Sequence, residues 1–217
     1  DRYADRGLRG SDNERCILRL GKRVVPNRML TPLLSVVVFA FWVPVLLAMF
    51  PGVNGYDSAL QAEMFLSSEI NSHHPVIHTL LVGACIEIGM RISSVSAGIL
   101  LYSIVQMLIM SFIYGFACKT IFECTRSKGI LAFSLAWFSL CPLNSVLSIS
   151  MTKDSLFGAL IVLAMAYFAR YYCLGRRSAD KVLLVVSLSI ALLFRNNALY
   201  AYVLILIGTV NILAHFA

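Results

Sequence analysis

Residues 30–50 read LTPLLSVVVFAFWVPVLLAMF, twenty-one consecutive positions without a charge. At 1.5 Å of rise per residue, a helix of this length covers the roughly 30 Å hydrocarbon core of a bilayer. Its apolar side chains point all round the helix, as a water-facing helix would not allow. The same character returns at Ser94 to Cys118, Gly129 to Ile149 and Ser155 to Tyr172, then at Val182 to about Asn197 and Ala198 to Ala217. The expected fold is therefore all-α, a polytopic transmembrane helix bundle of about six spans.

Composition agrees. Of 217 residues, 59% are hydrophobic and only 13% charged, too little charge to coat a soluble domain of this size. The net charge of +7 could suggest nucleic acid, but its placement excludes that partner. Basic residues gather in segment 1–29, in the loop from Lys119 to Lys128, and in the loop from Cys173 to Lys181. Short basic loops stay on the cytoplasmic side, and a basic N-terminal arm is drawn to anionic lipid. The six cysteines lie mostly in or beside apolar runs without metal-binding spacing, so they read as small hydrophobes and not as a disulfide framework. The first apolar run exceeds a signal-peptide core and reads as a retained anchor. The chain divides into a basic cytoplasmic segment, 1–29, and a transmembrane domain, 30–217, read as the N-terminal part of a longer protein.

The stretch Pro75 to Met90 is ambiguous, being only about fifteen apolar-rich residues interrupted by His78 and Glu87. If it crossed, the Lys119 loop would fall on the opposite face from the other basic segments. Reading it as a juxtamembrane helix puts all three inside and leaves 51–93 as a long first outer loop.

Three connections then face outside. The first, from Pro51, turns through Gly52 and Gly55 and places Tyr56-Asp57 before a helix-like stretch that carries Gln61 and Glu63. A carboxylate there serves either as an N-cap or as a general base at the mouth of a cavity. Further on, Ser72-His73-His74-Pro75 and His78 cluster histidines, but adjacent imidazoles converge poorly on one ion, and interfacial hydrogen bonding explains them as well. No metal ligands are assigned; a divalent metal is left open as a cofactor.

The second connection holds Lys153-Asp154, where Thr152 or Asp154 could cap the next helix and Lys153 could snorkel. The third is Arg195-Asn196-Asn197. Only about thirteen apolar residues separate Lys181 from Arg195, roughly 20 Å of helix. That places Arg195 below the outer surface, where a cation calls for a water-filled cavity or an anionic partner. Asp57, Lys153, Asp154 and Arg195 together supply a carboxylate base and two cations, the set that transfer from a lipid phosphate requires.

In this order and spacing, Tyr56-Asp57, His74-Pro75-Val76, Lys153-Asp154 and Arg195-Asn196-Asn197 resemble the GT-C fold integral-membrane glycosyltransferases that use polyprenyl-phosphate sugars. Protein mannosyltransferases and lipid A aminoarabinose transferases belong to that superfamily, and the nearest likeness is to uncharacterised bacterial members. The resemblance runs from about Pro51 to Tyr200. It implies an inverting glycosyltransferase of the cell membrane that moves a sugar from a polyprenyl-phosphate donor to an envelope glycan, lipid or protein acceptor on the extracytoplasmic face. It gives Asp57 the role of catalytic base and Lys153 and Arg195 the donor phosphate; Asp154, counted with the catalytic residues, is read as positioning Lys153 or the acceptor. Tyr56, Gln61, Glu63, His73, His74, Asn196 and Asn197 are the further candidate substrate contacts. Relatives carry Asp-Glu where this chain has Asp57-Ser58, so a second carboxylate falls to Glu63 or Glu69. The alternatives are a lipid or small-solute transporter or flippase, which would place polar groups within the spans, and a non-catalytic assembly protein.

Overall fold

A computed structural model describes residues 18–20, 23–25, 27–69, 74–175, 177–195, and 198, 200 and 202. Ahead of the helices, β1 (Leu18–Leu20) and β2 (Arg23–Val25) form a short antiparallel pair, a small addition to the all-helical expectation. The remainder is helical: α1 (Asn27–Ala48), α2 (Tyr56–Leu66), α3 (Val76–Ile92), α4 (Val95–Thr125), α5 (Lys128–Leu140), α6 (Pro142–Ile149), α7 (Lys153–Cys173) and α8 (Ser178–Phe194).

Three of these, α1, α4 and α7, are long and apolar enough to cross a membrane among the described residues. A fourth crossing is available from α5 and α6 if the pair, bent by 49°, counts as one span. Large apolar side chains stay exposed around the bundle, among them Val36, Phe133, Trp137, Leu143 and Met165. Water would not tolerate such a coat, and lipid explains it. The chain is a helical membrane protein. The fifth expected span is α8, whose 17 residues give only about 25 Å of helix. It nevertheless runs along α7 from end to end, with Asp180 paired to Arg170 at one end and Arg195 to Asp154 at the other. The sixth, Ala198 to Ala217, lies outside the described residues apart from positions 198, 200 and 202.

The break between α5 and α6 has a specific cause and a specific remedy. Pro142 has no N–H to give the Phe138 carbonyl, and it forces Cys141 into extended backbone (φ −63°, ψ 117°). The Phe138 carbonyl instead accepts from the Trp42 indole N–H of α1 at 3.2 Å, and Asn144 Nδ2 donates to the Trp137 carbonyl at 3.2 Å. Trp42 is fully buried, with Tyr114 edge-on at 5.7 Å, and Tyr114 stacks on Phe138 at 4.5 Å. The kink is thus locked to the α1–α4 core, which also holds Val38, Met107 and Met110.

Helix α1 runs antiparallel to α4. Leu30 and Leu34 pack with Cys118 and Phe122, and at the other end Gly52 reaches Ser103. The first eight residues of α4 therefore project about 12 Å past α1, and α3 packs there. Gly98 meets the Ile86 backbone so closely that a Cβ would sit 2.6 Å from its Cα. Helix α3 packs along this projecting end, with Val82, Cys85 and Ile86 beside Tyr102. The loop at 126–127 and residues 174, 175 and 177 share the end of the bundle where α1 begins, and the connections at 49–55, 150–152 and 195 share the other.

Candidate active site

Two loops are stitched together at this second end. Val53 N–H donates to the Ile149 carbonyl at 3.0 Å, and Met151 N–H returns to the Val53 carbonyl at 2.9 Å. Helix α4 pins the same segment from beneath. Ser103 Oγ donates to the Ile149 carbonyl at 3.3 Å, while Gln106 Nε2 lies 2.8, 3.1 and 2.7 Å from the carbonyls of Leu147, Ser148 and Ser150. These carbonyls lie at the end of α6 and just after it, where a helix runs out of its own donors; those of Leu147 and Ser150 also accept from the Ser150 and Thr152 N–H groups at 3.3 and 2.7 Å. Gly52 makes the close approach possible: its φ is +133°, and a Cβ would fall 2.1 Å from Ser103 Oγ.

From this stitch both helices that carry the candidate acids depart. Gly55 occupies the N-cap of α2, and Ser58 Oγ accepts from Gly55 N–H at 3.0 Å and donates to Asn54 Oδ1 at 2.7 Å. The capping role open to Asp57 is thus filled by its neighbours, which leaves its carboxylate in the first turn to reach across to Lys153 Nζ at 3.1 Å. Thr152 stands at the N-cap of α7, its Oγ1 bonded to Ser155 Oγ at 2.8 Å. Asp154, in the first turn of α7, pairs with Arg195 at 3.4 Å, and the Arg195 guanidinium lies over the Phe157 ring at 5.5 Å. Asp57, Asp154 and Arg195 are each about half exposed and Lys153 about a quarter, so the cluster faces outward from the helix ends.

The two helix starts enclose a cavity of about 240 Å³ lined by Tyr56, Asp57, Gln61, His78, Lys153 and Asp154, among others. A second cavity of about 490 Å³ opens on the other face of α2, mainly apolar, and Glu63 lines that one and not the first. His74 is buried at the start of α3. His73, Asn196 and Asn197 lie outside the described residues. Of the residues expected from sequence, the structure brings together Tyr56, Asp57, Gln61, Lys153, Asp154 and Arg195. No group of three metal-ligating side chains occurs among the described residues.

One functional candidate was missed by sequence reasoning. His78, almost fully buried, links the cavity to α4: Gln61 Oε1 is 2.6 Å from Nδ1, Tyr102 Oη is 2.8 Å from Nε2, and Tyr102 Oη donates to Gln106 Oε1 at 2.8 Å. Burial is the main reason its pKa falls to about 4, and the nearby charges of Lys153 and His74 push the same way against the opposing pull of Asp57. The available signal was the cost of a histidine and two glutamines among apolar residues, which calls for partners.

A family model described as a family of unknown function (DUF6020) matches residues 66–215. That is more than half of the chain, and the chain belongs to this family. The match takes in His78, Gln106, Lys153, Asp154 and Arg195 and begins after Asp57. No curated protein and no solved structure matches the chain.

Proposed function

We propose that this member of the family is a membrane glycosyltransferase that moves a sugar from a polyprenyl-phosphate carrier to an acceptor hydroxyl at the extracytoplasmic face. The observation that carries the reading is the convergence of Asp57, Lys153, Asp154 and Arg195, from three separate connections, on one end of the bundle. The basic connections occupy the opposite end, which the positive-inside rule assigns to the cytoplasm. Asp57 removes the acceptor proton as the acceptor oxygen bonds to the anomeric carbon. The bond from that carbon to the phosphate oxygen breaks with inversion, and its electron pair leaves on the phosphate. Lys153 and Arg195 hold that phosphate, and Asp154 fixes Arg195. In this cycle the phosphate takes over Lys153 and releases Asp57 for proton abstraction. A transport path would instead need polar groups free within the spans, whereas Gln106 is committed to backbone carbonyls at the bundle end.

The test is lipid binding in nanodiscs. Lys153→Gln and Arg195→Gln are each expected to weaken binding of undecaprenyl phosphate about ten-fold or more, as loss of a charged hydrogen bond would, with undecaprenol binding unchanged. Equal binding of the phosphate by wild type and both variants contradicts the reading.

A further inference from the structure

Helices α4 and α7 lie side by side and run in the same direction, with Phe116 beside Tyr167 at 5.1 Å between ring centroids and Glu123 paired with Arg170 further on. Cys124 follows Glu123, and Cys173 lies one turn beyond Arg170. The register held by the ion pair therefore sets two cysteines against each other in the last turns of the two helices. Their thiols share a hydrogen bond. Cys85 and Cys118 are buried in the apolar core, and packing accounts for them. Cys173 is exposed and Cys124 partly so, and packing does not account for their pairing. Cys124 also lines a cavity of about 250 Å³ between α4, α5 and α7, with Ala166 and Ala169 in its wall. That open space gives its side chain room to take the near-perpendicular dihedral that a disulfide requires.

We infer that Cys124 and Cys173 form a reversible redox site, at which a low-molecular-weight disulfide converts the two thiols to a disulfide bond joining α4 to α7. Cys173 is the more exposed, so its thiolate attacks a sulfur of the small disulfide; that S–S bond breaks and one small thiolate leaves with the electron pair. The Cys124 thiolate then attacks the Cys173 sulfur, the mixed disulfide breaks, and the second small thiolate leaves. The two cysteines give up two electrons and two protons, and the small disulfide takes both up to become two thiols. The positive-inside rule assigns this end of the bundle to the cytoplasm, where thiols are kept reduced. The resting pair is therefore the dithiol, and the bond forms when the pool of small thiols is oxidised. In the dithiol, α4 is held to α7 at this end by Arg170 and Glu123; in the disulfide the link is covalent. The inference does not rest on the transferase reading.

The test is equilibration of the full chain in nanodiscs with reduced and oxidised glutathione at about 1 mM each, a level that two thiols in contact should match or outcompete because their effective concentration is in the mM range or above. After an acid quench and digestion without reductant, more than half of the wild-type chains are expected to yield a Cys124–Cys173 linked peptide by mass spectrometry. Dithiothreitol is expected to remove it. Cys124→Ser should stop the exchange at a glutathione adduct on Cys173, and Cys85→Ser should cross-link as wild type does. Three results in wild type would each overturn the inference: a glutathione adduct on Cys173 without the linked peptide, free thiols at both positions, or a bond between the Cys173 residues of two chains.

Discussion

Replacing Gln106 by leucine removes a side chain that ties the cavity chain, α4 and the segment before Lys153 to each other. The side chain fills similar space, so the cost is polar. Gln106 has two N–H hydrogens shared among three carbonyls at 2.8, 3.1 and 2.7 Å, and it accepts one hydrogen bond from Tyr102 at 2.8 Å. Three hydrogen bonds are thus lost, at about 1 kcal/mol each, and the buried Tyr102 hydroxyl loses its acceptor, while the Leu147 and Ser150 carbonyls keep backbone donors at 3.3 and 2.7 Å. The expected destabilisation is about 3–4 kcal/mol. At about 2–4 °C per kcal/mol for a chain of this size, Tm should fall by about 6–16 °C. The assay is thermal unfolding in detergent, followed by a cysteine-reactive dye that reports exposure of buried Cys85 and Cys118. Ser111→Ala is the control. Ser111 is equally buried in the same helix but bonds only to the Leu108 carbonyl one turn back, so its loss should shift Tm by no more than about 3 °C. A Gln106→Leu shift no larger than that of Ser111→Ala would refute the claim that this amide organises the site.

Gly52→Ala should destabilise by about 1–3 kcal/mol, because it combines a left-handed φ with a Cβ placed 2.1 Å from Ser103 Oγ; Ser103→Ala should recover part of that loss in the double variant, as thermal unfolding would show. At the opposite end, Arg170 of α7 bridges Glu123 of α4 and Asp180 of α8, all nearly buried. Arg170→Leu strands Asp180 and leaves Glu123 with Lys119 at 3.8 Å, and should cost about 3–5 kcal/mol, whereas the triple Leu variant at 123, 170 and 180 should cost less than that single change. His78 ionises near 4 when folded and near 6.5 when unfolded, so between these values the unfolded chain binds the extra proton. Stability from this group is therefore complete above about pH 6.5 and lost as pH falls toward 4, by about 2–3 kcal/mol. Wild type should show that additional acid sensitivity over His78→Gln in Tm measured against pH.

The helical membrane character was legible because charge-free runs such as residues 30–50 leave the chain no other solvent, and the basic residues of three segments gave the expectation that one bundle end faces the cytoplasm. The reading of Pro75 to Met90 as a helix is met by α3, which packs against the first turns of α4. Legible in principle was the break at Pro142, which falls inside the expected span Gly129 to Ile149. Its repair by Trp42, ninety-six residues away, was not. The acids and cations could be named from their positions, but not their pairing. That Asp57 meets Lys153 depends on the parallel bridge between Val53 and Ser150, and no local pattern announces two hydrogen bonds between such irregular loops. The chain through Gln61, His78, Tyr102 and Gln106 was hidden for the same reason. Its members come from three helices, and each alone looks like a stray polar residue in an apolar run.

The most direct test of the transferase account is turnover by Asp57→Asn. Protein in liposomes would receive undecaprenyl-phosphate hexose with a total envelope extract as acceptor, and release of free undecaprenyl phosphate would be followed. The account predicts that Asp57→Asn lowers the rate by about 10²- to 10⁴-fold, the range for loss of a general base, with binding of undecaprenyl phosphate within about two-fold of wild type. Release by Asp57→Asn at the wild-type rate would contradict it.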